Sequence, residues 1–353
     1  MDPFVFNSNP SRVIFGPGTI ASLGAEAERL GCQRLLLIST EYQADTAADV
    51  ATRVPDLIAG QFNGAAMHTP VDVTETALEV ARACDADGLV ALGGGSSIGL
   101  AKAIAIRTDL PQIALPTTYA GSEMTPILGE TRNGEKVTRS DLKVLPETVI
   151  YDVDFTLSLP PAMSVTSGFN AMAHAIEAMY AQERNPIMSM LGAECVRAMT
   201  TALPRLTRLP SDIEARSDAL YGAWLGGICL GNAGMALHHK ICHVLGGTFG
   251  LPHAETHTVM LPHALAYNQA AAGAALNPLH AHLGDDPANA LYKLALALDA
   301  PTALRDLGMP EAGIDEAARR AIANPYWNPR AIEQAPLREM IARAWSGSQP
   351  GTE

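Results

Sequence analysis

Strand-like segments are confined to the first part of this 353-residue chain. This restriction narrows its possible folds more than any other feature. Short apolar runs without alternation occur at 34–39 (RLLLIS), 88–92 (GLVAL) and 112–115 (QIAL), as is typical of strands buried on both faces. Helical patterns such as 73–84 separate them. The order of segments therefore predicts an α/β domain built on a parallel sheet.

After about Asp154 the strand-like runs stop, and Ala, Leu and Met recur at helical spacing to the end of the chain. The pair Pro160-Pro161 suits a junction, because proline ends a preceding element and can open a helix. We predict an α/β domain over residues 1–155 and an all-helical domain over residues 156–353. The length of the chain agrees with two domains.

Composition excludes several classes of protein. Hydrophobic residues make up 48% of the chain and the net charge is −13, so neither disorder nor nucleic-acid binding is indicated. Five scattered cysteines without a CxxC pair and a start without a signal-peptide pattern predict a cytoplasmic protein. The uncharged stretch 219–239 contains Asn232 and ends in histidines, so we expect a buried helix there rather than a membrane span.

A glycine-rich turn follows the strand at 88–92. Glycines without Cβ let the backbone approach a phosphate, and the N-terminus of a following helix offers unpaired N–H groups. The turn lacks the GxGxxG fingerprint, and a tight turn without a ligand is the alternative. A polar run at 115–123 (LPTTYAGSE) follows the next strand and should meet the glycine turn at the same sheet edge.

These segments supply the candidate cofactor-binding residues. They are Ser39, Gly93, Gly94, Gly95, Ser96, Ser97, Thr117, Thr118, Tyr119, Ser122 and Lys143. Lys102 is a further candidate for a phosphate or ribose contact. For each lysine, a solvated surface position is the alternative.

Polar residues at helical spacing occur in the apolar second half. Asn170 and His174 are four residues apart, as are His239 and His243, so each pair shares a helix face. His253 follows after a turn. The set indicates either a metal site or an acid–base and anion-binding site, against the alternative of ordinary core histidines. The remaining histidines of this region are expected to be peripheral: His238, His257 and His263.

Four segments together resemble the iron-containing alcohol dehydrogenase superfamily: 93–97, 116–123, 167–177 and 239–265. The resemblance implies a dinucleotide-binding N-terminal domain, a helical C-terminal domain, a reaction in the cleft between them and a homodimer. It also implies site residues. Metal-holding members use an Asp at the position of Asn170 and histidines at the positions of His174, His239 and His253, while His243 matches a histidine close to the nicotinamide.

Two departures from the superfamily pattern concern the metal. Asn170 replaces a carboxylate, and Gly99 stands where metal-dependent members often carry Asp. An amide lacks the charge and the hard anionic oxygen of an Asp ligand, so no metal is expected. The segments 115–126, 141–146 and 237–243 are similar to the maleylacetate reductase branch. That similarity implies metal-free, NADH- or NADPH-dependent reduction of the C=C bond of maleylacetate, a small dicarboxylate, to 3-oxoadipate in the catabolism of aromatic compounds.

The chemistry of such a reduction assigns roles to the candidates. Hydride addition to an enone leaves an enolate, which needs hydrogen-bond donors and a proton. We expect His243 or His253 to stabilise the enolate or donate the proton. The expected substrate-binding residues are Asn170, His174 and His239, with Lys240 and Tyr326 as weaker candidates. Arg330 is a further possibility, although Asn328-Pro329 is predicted to begin the last helix.

The end of the second strand bears on cofactor choice. Ser39 and Thr40 are uncharged and would not repel a 2′-phosphate, so use of both NADH and NADPH is predicted. Three alternatives remain open from the sequence. They are a metal-dependent alcohol or polyol dehydrogenase, a lyase resembling dehydroquinate synthase, and a catalytically silent NAD-binding protein. The lyase would need a zinc site of one Glu and two His and a lysine-rich pocket, which the sequence does not display.

Overall fold

The computed structural model describes residues 4, 6–132 and 134–351. They form two compact units. One comprises Ser8–Leu159, and the other comprises Pro160–Glu353 with the described residues before Ser8. The boundary between the two units, after Leu159, lies four residues beyond the limit of 155 predicted from the sequence. The described residues before Ser8 belong to the helical unit. The outer limits of the two predicted domains, 1 and 353, lie outside the described residues.

The α/β unit contains a parallel sheet of six strands in the order β1-β8-β5-β4-β2-β3. A separate antiparallel hairpin pairs β6 with β7. The strands are β1 (Arg12–Phe15), β2 (Leu35–Ile38), β3 (Ile58–Phe62), β4 (Gly88–Gly93), β5 (Gln112–Pro116), β6 (Ile127–Arg132), β7 (Glu135–Ser140) and β8 (Thr148–Tyr151). The predicted strands correspond to β2, β4 and β5, and the parallel sheet is confirmed.

Helices cover both faces of this sheet. They are α1 (Leu23–Leu30), α2 (Ala44–Arg53), α3 (Val71–Ala83) and α4 (Gly95–Thr108). Successive side chains of β2 point to opposite faces. Leu35 and Leu37 pack into the core that contains Val50 of α2. Leu36 and Ile38 pack into the core that contains Leu78 of α3 and residues of α4. Burial on both faces explains the apolar run without alternation.

Lys102 of α4 has a structural role in this unit. Its side chain is buried, and Nζ donates to the carbonyl oxygens of Ser122, Thr125 and Ile127 at 2.6, 2.7 and 3.0 Å. The ammonium group thereby fixes the loop that leads from β5 into β6. The suggested phosphate or ribose contact of Lys102 is wrong, because its donors are used inside the fold.

The second unit is helical, as predicted. Its helices are α5 (Pro161–Tyr180), α6 (Pro186–Arg208), α7 (Ile213–Asn232), α8 (Leu237–Phe249), α9 (His253–Ala272), α10 (Asn277–Leu283), α11 (Pro287–Ala297), α12 (Gly313–Ala323) and α13 (Gln334–Ser346). The central helix α5 is buried over most of its length. A Cβ on Gly192 of α6 or Gly226 of α7 would stand 2.8 or 2.7 Å from the carbonyl oxygens of Ala175 and Ala171. Both neighbouring helices therefore pack directly on the α5 backbone.

The uncharged stretch 219–239 differs from the prediction. It is not one buried helix but the end of α7 and the start of α8, separated by residues 233–236. Within the described part of the chain, no single helix is long and apolar enough to cross a membrane. Helices α7 and α8 reach that length and composition only as a pair bent by 94°.

Candidate active site

The glycine turn at the end of β4 has a backbone that requires glycine. Gly93 has a φ of 144°, and an added Cβ would stand 2.4 Å from Oγ of Ser97. A Cβ on Gly94 would stand 2.7 Å from Oγ1 of Thr118, whereas one on Gly95 would meet nothing within 4 Å. Neighbouring protein atoms therefore leave no room for a side chain at Gly93 or Gly94. At Gly95, where α4 begins, the space is open.

Hydrogen bonds join the ends of three strands around this turn. Nε2 of Gln43 donates to Oγ1 of Thr117 at 2.6 Å, and Thr40 Oγ1 lies 3.3 Å from Gln43 Oε1. The amide of Thr117 donates to the carbonyl of Gly93. Thr117 and Thr118 thus lie beside the glycine turn, as the topology of a parallel sheet predicts. Gln43 was not predicted, because its position next to Thr117 depends on how α2 follows β2.

The remaining cofactor candidates lie in different surroundings. Ser39 is fully buried, and its hydroxyl donates to Oδ1 of Asn63 at 2.9 Å. Its side chain therefore makes a hydrogen bond inside the fold. Tyr119 is fully buried as well, and Ser96 is half-buried. The carbonyl of Ser122 accepts from Lys102, as described above.

Lys143 lies near the C-terminal end of α4. The cofactor contact predicted from the sequence would require a position near the N-terminal end of this helix. The ammonium group of Lys143 is 3.1 Å from the carboxylate of Asp109, which follows the last residue of α4. A helix of this length spans about 20 Å. The structure therefore separates Lys143 from the glycine turn at the N-terminus of the same helix, and the sequence position alone did not reveal this.

The N-terminus of α4 has the properties of a phosphate site. No described side chain caps it, and the hydroxyl of the buried Ser97 has no hydrogen-bond partner among the described residues. Helix N-termini attract anions through unpaired N–H groups and the helix dipole. The open space at Gly95 and the polar groups around it fit the pyrophosphate of a nicotinamide dinucleotide.

In the helical unit, three helices bring the predicted histidines together. His174 of α5 stacks against His239 of α8, with ring centroids 5.0 Å apart and an interplanar angle of 28°. The ring of His243, one turn further along α8, lies 6.2 Å from that of His239. Asn170 precedes His174 by one turn and is buried. Oδ1 of Asn170 and Nδ1 of His174 have no hydrogen-bond partner among the described residues.

His257 and His238 are central to this cluster rather than peripheral, so that prediction is wrong. The ring of His257 lies 4.3 Å from His253 and 4.8 Å from both His238 and His239, centroid to centroid. Nε2 of His238 and Nδ1 of His257 are 3.0 Å apart and share a hydrogen bond. His257 follows His253 by four residues on α9, and this spacing was a usable signal. His263 lies elsewhere and is near Tyr292.

A carboxylate that the sequence interpretation passed over holds the start of α8. Glu177 of α5 is fully buried, and its oxygens accept hydrogen bonds from the backbone amides of Ala236, His238 and His239 at 3.0, 2.8 and 3.3 Å. Oε2 also lies 2.6 Å from Nδ1 of His239. Glu177 therefore caps a helix N-terminus and contacts a site histidine at the same time.

Three residues form a polar group at the more exposed side of the cluster. Nδ1 of His243 lies 3.2 Å from the hydroxyl of Tyr326, and the ammonium of Lys240 lies 5.4 Å from the centre of the Tyr326 ring. The sequence predicted each as a site residue, and the structure brings them together. Burial, with a smaller contribution from the charge of Glu177, raises the pKa of Tyr326, so its hydroxyl is a donor at neutral pH.

The loop that carries Tyr326 corrects two further expectations. Asn328-Pro329 does not begin the last helix, since α13 begins at Gln334. Instead, the side chain of Asn328 bonds to Asn268 of α9 and ties this loop down. Arg330 stacks on the ring of Tyr267 at 4.1 Å. It lines a cavity of about 240 Å³ with His263, apart from the group formed by Lys240, His243 and Tyr326.

The inner histidines are held in the neutral form. Burial, followed by the charges of neighbouring histidines, lowers the pKa of His174, His239 and His257 well below the usual value. Burial lowers the pKa of His238 to about 3. Removing a cationic ring from water is costly, and several rings close together cannot all carry charge. The inner cluster therefore presents neutral imidazoles at pH 7.

The metal ligands that the family resemblance implies lie at Asn170, His174, His239 and His253. Among the described residues, one group of three potential ligands brings its ligand atoms within 4.8 Å of one another, namely His238, His239 and His257. Two of these rings already bond to each other. The implied set of His174, His239 and His253 does not form such a group, and Asn170 adds no charge. The residues at the implied positions therefore suit the family's metal less well than an Asp and three histidines would.

Comparison with known proteins identifies the family. Residues 10–153 match the family described as iron-containing alcohol dehydrogenase, and residues 164–345 match its C-terminal domain family. The chain is 52% identical to a maleylacetate reductase from Rhizobium sp. over 99% of its length and 100% of that protein. It is 50% identical to one from Sphingobium indicum, with 99% of both chains covered.

A solved structure agrees with these sequence relatives. The crystal structure of a maleylacetate reductase from Agrobacterium tumefaciens superimposes with a TM-score of 0.97 at 53% identity, and covers 99% of this chain and 100% of that one. The fold class and the kind of enzyme expected from the sequence are therefore confirmed. The chain belongs to the iron-containing alcohol dehydrogenase family of NAD(P)-dependent oxidoreductases, and within it to the branch of its maleylacetate reductase relatives.

Proposed function

We propose that this protein reduces the carbon–carbon double bond of maleylacetate, giving 3-oxoadipate, with NADH or NADPH and without a metal. The observation that carries the proposal is the group of Lys240, His243 and Tyr326 beside a cluster of neutral histidines. This arrangement offers hydrogen-bond donors, and the amide of Asn170 brings no charged ligand to the position where metal-holding members carry Asp. Relatives of about 50% identity over the whole chain that are maleylacetate reductases support the choice of substrate.

The glycine turn and the uncapped start of α4 would hold the pyrophosphate of the cofactor. Gly93 and Gly94 keep the backbone free of Cβ atoms, and Thr117 and Thr118 border the same edge. A bound NAD(P)H supplies the hydride. The end of β2 carries Thr40, and the side chain of Ser39 is buried, so no negative charge of these two residues opposes a 2′-phosphate. This supports use of both cofactors, and kcat/KM values measured with NADH and NADPH test it.

The donor group would bind the substrate and stabilise the charge that develops on it. Hydride addition at the alkene carbon β to the ketone breaks the C=C π bond and places negative charge on the ketone oxygen. The hydroxyl of Tyr326 and the ring of His243 are donors for that oxygen. A proton must then reach the α-carbon, from His243 or His253. The ammonium of Lys240 attracts the substrate carboxylates against the overall negative charge of the protein.

A metal is not required by this chemistry. The reacting ketone oxygen can be stabilised by hydrogen bonds alone, whereas an alcohol dehydrogenase reaction of the family's iron type would need a chelating set. The amide of Asn170 and the stacking of His174 on His239 support the metal-free alternative. A homodimer and a cytoplasmic location, expected from the sequence, belong to the same proposal, and light scattering of the purified protein tests the dimer.

The experiment is an NADH oxidation assay with maleylacetate as the substrate. We expect turnover with 3-oxoadipate as the product, identified by mass spectrometry. Primary alcohols and diols, offered with NAD⁺, serve as competing substrates. Turnover of an alcohol with none of maleylacetate would assign the protein to the metal-dependent dehydrogenases instead.

A further inference from the structure

We propose that Glu177 is a positioning residue that fixes the tautomer of His239, so that this histidine presents an unprotonated Nε2 to the active site. The inference adds a residue role to the proposed function. Only its kinetic test rests on that function, because the kinetic test uses maleylacetate as the substrate.

The direction of the hydrogen bond follows from the other partners of the carboxylate. Three backbone N–H groups, which can only donate, already point at the two oxygens of Glu177 from residues 236, 238 and 239. The oxygens therefore act as acceptors. Nδ1 of His239, at 2.6 Å from Oε2, is then the donor and carries the proton of the neutral ring. In a neutral imidazole, only one nitrogen is protonated.

The opposite side of the same ring agrees with this assignment. Nε2 of His239 is buried and has no hydrogen-bond partner among the described residues. An N–H buried without an acceptor is costly, whereas an unprotonated Nε2 keeps a lone pair that can accept from an incoming donor. Oδ1 of Asn170, an acceptor, and Nδ1 of His174 also have no hydrogen-bond partner among the described residues.

This assignment changes the role expected for His239. An unprotonated Nε2 accepts a hydrogen bond and cannot donate one to a substrate carboxylate. Binding of carboxylates then falls to the donors on the other side of the cluster, among them Lys240. Glu177 acts through His239 and through the start of α8, because one carboxylate holds both the ring and the backbone that carries it. Carboxylate partners of metal-bound histidines typically affect activity by about 10–100-fold when removed, and we expect the same scale for Glu177.

The direct test is the tautomer itself, which needs no turnover. The full-length protein is labelled with ¹⁵N in histidine, and the His239 signals are assigned by their loss in His239→Gln. Two-bond ¹⁵N–¹H correlations then show which ring nitrogen carries the proton. We expect the Nδ1–H form for His239. The Nε2–H form in the wild-type protein would overturn the proposal.

The kinetic test uses Glu177→Gln, with Glu183→Gln as the matched control. A glutamine at position 177 must place its NH₂ group against a backbone N–H or against Nδ1 of His239, whichever way it is oriented. Glu183 accepts a hydrogen bond from the amide of Gly234 in the segment that precedes α8, whereas the carboxylate that bonds to Nδ1 of His239 is that of Glu177. We expect kcat/KM for maleylacetate to fall about 10–100-fold in Glu177→Gln, with the KM for NADH and the activity of Glu183→Gln unchanged.

The tautomer measurement and the kinetic measurement can each contradict the proposal separately. Wild-type kcat/KM in Glu177→Gln would overturn the positioning role. If Glu177→Gln does not fold, the tautomer of the wild-type protein still decides the proposal. Absence of maleylacetate turnover in the wild type, together with the Nδ1–H form, would reject the proposed function and leave the tautomer assignment intact.

Discussion

Nδ1 of His243 lies 3.2 Å from the hydroxyl of Tyr326, a residue 83 positions later in the chain. The contact joins α8 to the loop before α13 and gives the site an imidazole and a phenol at one point. Both are partly exposed, whereas the rings of His174, His239 and His257 are buried. This division separates groups that can exchange protons with substrate from groups that shape the site.

The first prediction concerns this pair. His243→Ala removes a donor for the developing enolate, so kcat/KM for maleylacetate should fall by about 100-fold or more. Tyr326→Phe removes one hydrogen bond and should cost about 5–10-fold. Stopped-flow assays with a fixed NADH concentration measure both. The Kd for NADH should be unchanged, and wild-type turnover in His243→Ala would remove this histidine from the mechanism.

The second prediction separates two glycines of the turn. Gly93→Ala forces a side chain into a φ of 144° and within 2.4 Å of Oγ of Ser97, so it should lower the free energy of unfolding by about 1–3 kcal/mol. Gly95→Ala meets no protein atom within 4 Å, so unfolding should change by less than about 0.5 kcal/mol.

Cofactor affinity distinguishes what the open space at Gly95 is for. A methyl group there would stand where we expect the pyrophosphate, so the Kd of Gly95→Ala for NADH should rise at least about tenfold. Urea unfolding and fluorescence titration give the two quantities. An unchanged Kd in Gly95→Ala would place the cofactor elsewhere.

The third prediction is that the folded protein loses stability in acid, in part because of His263. Burial, followed by the charge of Arg343, lowers the pKa of His263 from 6.5 to about 4. The unfolded chain therefore binds a proton near pH 6.5 that the folded chain takes up only near pH 4. Stability must fall as the pH drops through this window. The loss due to this one group reaches about 3 kcal/mol at its full extent.

His263→Gln, which cannot take up this proton, should lose less stability than the wild type between pH 6.5 and pH 4. The measurement is the free energy of unfolding in urea at several pH values. His282→Gln changes an exposed histidine and serves as the control, with a pH dependence close to that of the wild type. Parallel curves for the wild type and His263→Gln would contradict the burial argument.

The fourth prediction tests the amide in the histidine cluster. Asn170→Asp restores a carboxylate beside His174 and should increase the zinc or iron retained after dialysis, because a charged hard oxygen binds these ions better than an amide. The new charge should also repel the dicarboxylate substrate and lower kcat/KM about tenfold or more. Asn277→Asp, at an exposed position, controls for added charge. Equal metal content in wild type and Asn170→Asp would show that the residue does not determine metal binding.

The sequence predicted the α/β sheet where its strands are buried on both faces, as in β2, β4 and β5. It did not reveal β1, β3, the hairpin of β6 and β7, or β8, although β8 is buried throughout. The burial of β1 is only partial, so its apolar pattern is weak, and the hairpin is largely polar. The prediction of one helix over 219–239 was wrong because the chain breaks at 233–236. At this break the carboxylate of Glu177 accepts hydrogen bonds from the backbone at the start of α8, which is a tertiary contact.

The candidate site divides in a similar way. Spacing of four residues correctly grouped Asn170 with His174 and His239 with His243, because helix geometry is local. The same rule applied to His253 and His257 and was not used. Glu177 and Gln43 could not be identified, since their partners lie far away in sequence. Lys143 was misassigned for the converse reason: its partner Asp109 lies at the far end of α4.

The proposed function is the reduction of maleylacetate without a metal. The most direct measurement is NADH oxidation with maleylacetate by the purified protein, before and after dialysis against EDTA, with the metal content of each sample determined. We predict equal kcat values in the two samples, and less than about one-tenth equivalent of iron or zinc per chain after dialysis. Loss of turnover on chelation, restored by adding iron or zinc, would contradict the account.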